Sequence, residues 1–311
     1  MTGKVVLPGG AGLVGQNLVP RLKARGFGDL VVIDKHAGNL AILGKLHPDV
    51  TVINADLSQP GDWEEAFSGA QAVVMLQAQI GGLRAEDFHA NNIVATERIL
   101  AAMKRASVPQ LVHVSSSVVR SVADDFYTRS KTLQEEIVVK SGIDATILRP
   151  TLMFGWFDRK HLGWLSRFMA KVPVFPIPGD GGYIRQPLYA GDFSEIIASV
   201  LSKGQPQGIY GITGFERVTY IDLLRAVRSA TRQKTPFLCI PFGLFKVLLS
   251  VWAIFDRNPP FTAQQLDALV AGDEFEVIDW PAIFGVTPTP LAEAMEQTFR
   301  HPLYSGVVLD F

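Results

Sequence analysis

Tyr127 and Lys131 stand four positions apart in the run Tyr127-Thr128-Arg129-Ser130-Lys131. On a helix that spacing puts both on one face. A phenol with an ordinary pKa of about 10 is a poor base at neutral pH. A neighbouring ammonium would stabilise the phenolate and lower that value, readying the pair for proton exchange with a carbonyl or hydroxyl. Ser115-Ser116-Ser117 lies just upstream and offers a hydroxyl to orient the reacting oxygen. A Tyr/Lys pair alone is more often a solvated helix face, so its meaning depends on what precedes it.

What precedes it is a glycine turn. Gly9, Gly12 and Gly15 recur every third residue between an apolar run and a segment of helical period. The first glycine permits a tight turn, the second lets backbone approach a pyrophosphate, and the third lets the helix lie close to the strand. The helix N-terminus then meets the anion with free N–H groups and its positive dipole end. Asp34 follows 19 residues after Gly15, where an acidic group would take the adenosine ribose hydroxyls. Together these features predict dinucleotide binding. Asp34 would repel a 2′-phosphate, which favours NAD over NADP, while Lys35 and His36 beside it soften the preference and leave NADP open.

These residues need a scaffold, and the first half of the chain repeats one pattern. Apolar runs at Val5–Leu7, Leu30–Ile33, Val50–Ile53, Ala72–Leu76, Leu111–Ser115 and Ala145–Leu148 alternate with helical stretches near Leu13–Arg25, Trp63–Phe67, Phe88–Ala106 and Tyr127–Lys140. That alternation predicts βαβ units in an α/β fold, a Rossmann-type doubly wound parallel sheet over residues 1–150. Pro20 falls inside the first helix and should kink it. The second half predicts a smaller mixed α/β substrate domain (151–185 and 213–311), with 186–212 returning to the sheet. Its expected elements are a loop-rich stretch around Pro173–Gly182, a helix N-capped by Asp192, strands at Ile209–Ile212 and Phe237–Ile240, and helices at Tyr220–Thr231, Phe242–Phe255, Gln264–Val270 and Leu291–Arg300.

Composition narrows the class. With 311 residues, 48% hydrophobic and 19% charged, the chain can bury a large core. Lys+Arg (29) minus Asp+Glu (30) leaves −1, and no basic stripe interrupts the balance, which argues against a nucleic-acid partner. The single cysteine, Cys239, forms no intramolecular disulfide and fits a reducing compartment. The start Met-Thr-Gly-Lys passes straight into a strand, so a cytoplasmic protein is expected. The six histidines show no ligand spacing, and no metal is expected. His113 reads as a satisfied core histidine. No Gly-x-Ser-x-Gly elbow is present.

The chain resembles the extended or atypical branch of the short-chain dehydrogenase/reductases, the NAD-dependent epimerase/dehydratase group. The likeness runs over most of residues 4–225. It is carried by the glycine motif, Asp56-Leu57, Leu76-Gln77-Ala78, Asn92 four residues before Thr96, the Tyr127/Lys131 pair, and Leu148-Arg149-Pro150 followed by Phe154-Gly155. The resemblance implies a dinucleotide held by Gly9, Gly12, Leu13, Val14, Gly15, Asp34, Lys35, Asp56, Leu57, Gln77, Ala78, Asn92, Ser115, Tyr127, Lys131, Pro150 and Met153. It implies Tyr127 as acid/base, Lys131 holding the ribose and tuning Tyr127, and Ser116 or Ser117 orienting the substrate oxygen. Gln79, Phe154 and Arg185 would face the substrate, with Arg185 on a phosphate or else anchoring the Gly179–Gly182 loop.

Several positions depart from that pattern. Pro8 replaces a threonine, Gln77 a small residue, and only 11 residues separate Ser116 from Tyr127. The sugar-enzyme asparagine is absent near Thr151–Leu152. The short interval, with the Arg149-Pro150-Thr151 segment, is similar to atypical members, including those related to the nucleotide-binding accessory subunit of respiratory complex I. The expectation is therefore an NAD(P)-dependent oxidoreductase or epimerase acting on a hydroxyl/carbonyl of a small substrate, with a nucleotide-linked or lipid-linked sugar as the candidate class. The alternatives are a cofactor-binding structural or assembly protein without turnover, and a cofactor-occupancy sensor. Trp156, Phe157, Trp164 and Phe168 either line the substrate pocket or pack the smaller domain. Phe242–Phe255 is apolar and too short to cross a bilayer, which leaves a buried helix, a homodimer face or a peripheral membrane contact.

Overall fold

A computed structural model describes residues 3–121, 124–204, 207–255, Leu266 and 275–309. The central sheet has seven parallel strands in the order β11-β6-β5-β4-β1-β2-β3. They are β1 (Lys4–Pro8), β2 (Leu30–Asp34), β3 (Thr51–Asn54), β4 (Ala70–Met75), β5 (Gln110–Val114), β6 (Ala145–Pro150) and β11 (Gly208–Ile212). The order reverses between β1 and β4, and a crevice opens beyond the strand ends at that point, where α/β sheets bind ligands. Residues 208–212 return to the sheet beside β6.

The strands are continuous apolar runs because both faces are covered. Val5 and Leu7 point into one core layer, with α1 (Leu13–Ala24), α2 (Ala37–Leu46) and α7 (Ala190–Lys203). Val6 points into the other, with α4 (Ala95–Ala106) and α5 (Phe126–Lys140). The same alternation recurs at Val32 against Val31 and at Val74 against Val73. This period of two within an unbroken hydrophobic run doubly winds the sheet.

Several expectations are corrected. α2 was not anticipated, because Gly38, Asn39 and Gly44 dilute its helical signal. The long helix expected at Phe88–Ala106 is three pieces: α3 (Ala85–Phe88), a π-helical turn at His89–Val94, and α4. Asp192 is not an N-cap: α7 starts at Ala190, and the Asp192 carboxylate accepts hydrogen bonds from the Thr289 amide and hydroxyl. α1 runs on through Pro20 to Ala24.

The remaining elements build a second core. β7 (Met153–Phe154), α6 (Leu162–Met169), β8 (Phe175–Pro178) and α8 (Tyr220–Ala230) pack with the helix Leu291–Arg300 around Phe154, Met169, Leu224 and Met295. β8 lies inside the stretch expected to be loop; Pro176 and Pro178 hide its strand character, yet it pairs in parallel with β13 (Phe237–Ile240). β9 (Ile184–Arg185) pairs with β12 (Val218–Thr219), and β10 (Leu188–Tyr189) with β7. α9 (Phe242–Phe255) follows β13 as expected. The helix expected at Gln264–Val270 lies outside the described residues apart from the buried Leu266.

Candidate functional site

At the sheet's crevice lies a cavity of about 780 Å³. Its first wall is the glycine turn. Gly9 has φ +76°, and a Cβ there would sit 2.3 Å from the Gln77 backbone nitrogen, so β1 and the end of β4 approach too closely for any side chain. Gly12 caps α1 without a side-chain acceptor, and α1 carries no acidic residue in its first turn. The N-terminal amides of α1 therefore face the cavity beside Gly12, Leu13 and Val14. Gly15 does not line the cavity, a correction to its expected ligand contact. A Cβ there would lie 2.1 Å from the Gly10 carbonyl oxygen, so it is a packing glycine.

The cavity runs on past Asp34, Lys35, Asp56 and Leu57. The Asp34 carboxylate accepts from the Ala11 amide (3.1 Å) and the His36 amide (3.1 Å), tying the glycine turn to the end of β2. Burial works to raise the Asp56 carboxyl, but the Ser58 hydroxyl and amide and the Lys35 charge carry it below its ordinary range. Lys35 Nζ donates to Asn91 Oδ1 at 2.8 Å, and Asn91 donates on to Gln79. A glycine cradle, bare helix amides and a carboxylate at this spacing fit a dinucleotide's pyrophosphate and adenosine ribose.

The opposite wall carries Ser115, Ser116, Ser117, Tyr127 and Lys131. Asp125 caps α5 by accepting from the Thr128 amide (2.7 Å), which fixes the helix start beside Tyr127. Ser116 stands on the cavity wall with Tyr127 and accepts from the Val118 amide. Ser115 instead donates to Glu135 (2.6 Å), which is ion-paired with Arg149. Burial raises the Tyr127 pKa, against the lowering expected from Lys131; the neighbouring Ser116 hydroxyl offsets it only in part. The reason is where Lys131 points. Its Nζ donates to the Val114 carbonyl (3.0 Å) and to Gln134 Oε1 (2.5 Å), and burial pulls its pKa down to about 7 against the opposing pull of Glu135.

Behind Lys131 runs a buried polar chain that sequence reasoning missed. Gln134 Nε2 donates to Thr96 Oγ1 (2.9 Å), Gln77 Nε2 donates to the same oxygen (3.1 Å), and Thr96 donates to the Asn92 carbonyl (2.7 Å). Gln77 is thus the outlying glutamine of the glycine-turn wall, joined to the lysine through one threonine. Asn92 does not line the cavity, contrary to expectation. It is fully buried, donates to Ser130 Oγ (2.8 Å) and accepts from the Gln79 amide (2.6 Å), bracing the Tyr127 turn from the π-helical segment. His113 is fully buried in the core as expected, but among the described residues neither ring nitrogen has a hydrogen-bond partner, and burial, with Lys131 nearby, holds its pKa well below the usual value.

A model of the "NAD dependent epimerase/dehydratase family" matches residues 5–213, about two thirds of the chain. The chain belongs to that family. It is 25% identical over 265 residues to the mitochondrial NADH dehydrogenase [ubiquinone] 1 alpha subcomplex subunit 9 of Dictyostelium discoideum, covering 83% of this chain and 73% of that one. It is 26% identical over 302 residues to a 3 beta-hydroxysteroid dehydrogenase/Delta 5-->4-isomerase of Mycobacterium tuberculosis, covering 86% and 80%. The fold is similar to that of the UDP-glucuronic acid 4-epimerase of Bacillus cereus in complex with NAD, with TM-score 0.74 at 18% identity, covering 94% and 96%.

In this epimerase/dehydratase family member the cavity also takes in Gln77, Ala78, Gln79, Pro150 and Met153, as expected. Two expected substrate contacts are corrected. Phe154 is 1% exposed and packs on Tyr189 in the second core, because β7 turns its side chain away from the crevice. Arg185 does not line the cavity; β9 holds it against β12, with its guanidinium over the Tyr183 ring. Trp156 and Phe157 pack with Tyr304, and Trp164 stacks on Phe168. The far end is closed instead by Arg120, Leu152, Asp158, His161 and Phe275. Asp158 spends its carboxylate on the amides of Lys160, His161 and Gly163, which fixes that loop. Of these only an Asp five residues before a Gly was a sequence signal, and a weak one. Among the described residues no helix is long and apolar enough to cross a membrane.

Proposed function

We propose that this family member is an NAD-linked oxidoreductase or epimerase/dehydratase acting on a carbonyl or hydroxyl of a small substrate. The reading rests on one observation: Ser116, Tyr127 and Lys131 line the same cavity as the glycine turn and Asp34. Gly9, Gly12, Leu13 and Val14 would hold the pyrophosphate and Asp34 the adenosine ribose. A bound nicotinamide would supply or accept hydride. Tyr127, kept protonated by burial, donates a proton to the substrate oxygen, and Ser116 orients that oxygen. Lys131, held on the Val114 carbonyl and Gln134, fixes the α5 turn that carries Tyr127 against β5.

Incubation with NAD(H) and a panel of nucleotide sugars, hydroxysteroids and quinone-like carbonyls tests this reading. In the presence of a turned-over substrate, Tyr127→Phe should cut the rate by about 10²–10⁴-fold while dinucleotide still binds. Turnover at the parental rate sinks the mechanism. A second reading, dinucleotide binding without turnover, is favoured by the contacts that hold Lys131 on Gln134 and Val114. Tight NAD(H) binding with no reaction across the panel would support it. A nucleotide-linked or lipid-linked sugar remains the substrate class to try first.

A further inference from the structure

The helix α9 shows water what a buried helix would hide. Leu244, Val247, Leu248 and Val251 are 53%, 58%, 49% and 46% exposed. They stand at i, i+3, i+4 and i+7, one continuous stripe along the helix. Phe245 is buried and seats the helix on the body of the protein. On the strand just before it, Leu238 adds another exposed aliphatic side chain. A contiguous exposed apolar surface of this kind marks an interaction site.

Charge decides among its partners. From Leu223 to Phe255 the sequence carries five basic residues and no acidic one; Arg225 is ion-paired with Asp222, and Arg228 donates to the Thr235 carbonyl and lies over the Phe237 ring. Arg232 and Lys234 are exposed on the turn between α8 and β13. An isologous dimer through α9 would bring two such cationic segments together, a repulsion that a self-complementary face avoids. An anionic lipid surface complements both properties at once. The 14 residues of α9 extend about 21 Å at 1.5 Å each, short of a hydrocarbon core of about 30 Å, so the helix lies along a bilayer rather than through it.

We propose that α9 docks this protein on the surface of a bilayer rich in anionic phospholipid, with the Leu244–Val251 stripe in the headgroup boundary and Arg232 and Lys234 on the lipid charge. Docking is independent of whether the cavity turns anything over. The test is flotation of the full chain with vesicles of phosphatidylcholine alone and of phosphatidylcholine mixed with phosphatidylglycerol. Binding is expected only to the mixed vesicles and to weaken with salt. Val247→Ser with Leu248→Ser, and separately Arg232→Glu with Lys234→Glu, should each weaken it by about tenfold or more, with unfolding midpoint and NAD(H) affinity unchanged as the control for folding. Because these positions are exposed, the variants test the surface and not the core. No flotation, equal flotation of both variants, or a stable dimer that the Val247/Leu248 variant dissociates would overturn the proposal.

Discussion

Lys131 donates from Nζ to Gln134 Oε1 at 2.5 Å, and Gln134 in turn donates to Thr96. The lysine is thereby referenced to two elements, α5 through Gln134 and α4 through Thr96, and to β5 through the Val114 carbonyl. Gln77 on the glycine-turn wall meets the same threonine, so both walls of the cavity share one buried hydrogen-bond centre.

Replacing Gln134 with Leu removes an acceptor from a buried ammonium and a donor from Thr96. Lys131 keeps the Val114 carbonyl and Thr96 keeps Gln77, so losing the two bonds to Gln134 should cost about 1–3 kcal/mol in all. Urea unfolding should show a loss in that range. Gln134→Glu keeps an acceptor for Lys131 and should raise the lysine's pKa, moving any pH–rate profile upward. A variant with unchanged stability and profile would show that Gln134 does not position Lys131.

The Lys131 pKa sets a pH dependence of stability. The unfolded side chain holds its proton up to about 10.5, whereas the folded one releases it near 7. Between those values the unfolded state binds more protons, so stability rises with pH; below about 7 the cost of a buried ammonium is fully present. Relative to Lys131→Met, the parent protein should gain stability from pH 7 toward pH 10, with a slope of at most about 1.4 kcal/mol per pH unit. A stability difference flat across that window would show an ordinary lysine.

Asp34 lies in the cavity with its carboxylate also holding the Ala11 and His36 amides. NAD(H) should therefore bind more tightly than NADP(H) in titrations of intrinsic fluorescence. Asp34→Asn should narrow the gap, since it removes the charge opposing a 2′-phosphate. Equal binding of both dinucleotides by the parent would shift weight to Lys35.

Phe154→Ala distinguishes packing from recognition. At 1% exposure inside the second core, its loss should cost about 3–5 kcal/mol of stability. Dinucleotide affinity, measured under folding conditions, should hold. A binding defect at full stability would return Phe154 to the cavity wall.

Local chemistry alone determined most of the sheet. Unbroken apolar runs such as Leu30–Ile33 are strands because only a doubly covered sheet accommodates them, and the Gly9–Gly15 spacing marks the turn because no side chain tolerates its close approaches. The helical spacing of Tyr127 and Lys131 likewise put both on the cavity wall. Only the tertiary structure decided which neighbours those groups meet. Lys131 is turned onto the Val114 carbonyl, and its neighbour Gln134 onto Thr96, because α5 lies against β5 and α4; those contacts span 17 and 38 residues and leave no local period to read. Asn92 and Phe154 carried the right residue types yet turned inward, since side-chain direction at a π-helical turn or a two-residue strand depends on what packs against it. Asp158–His161 and Phe275 meet at the cavity although more than a hundred residues part them, a juxtaposition set by tertiary packing.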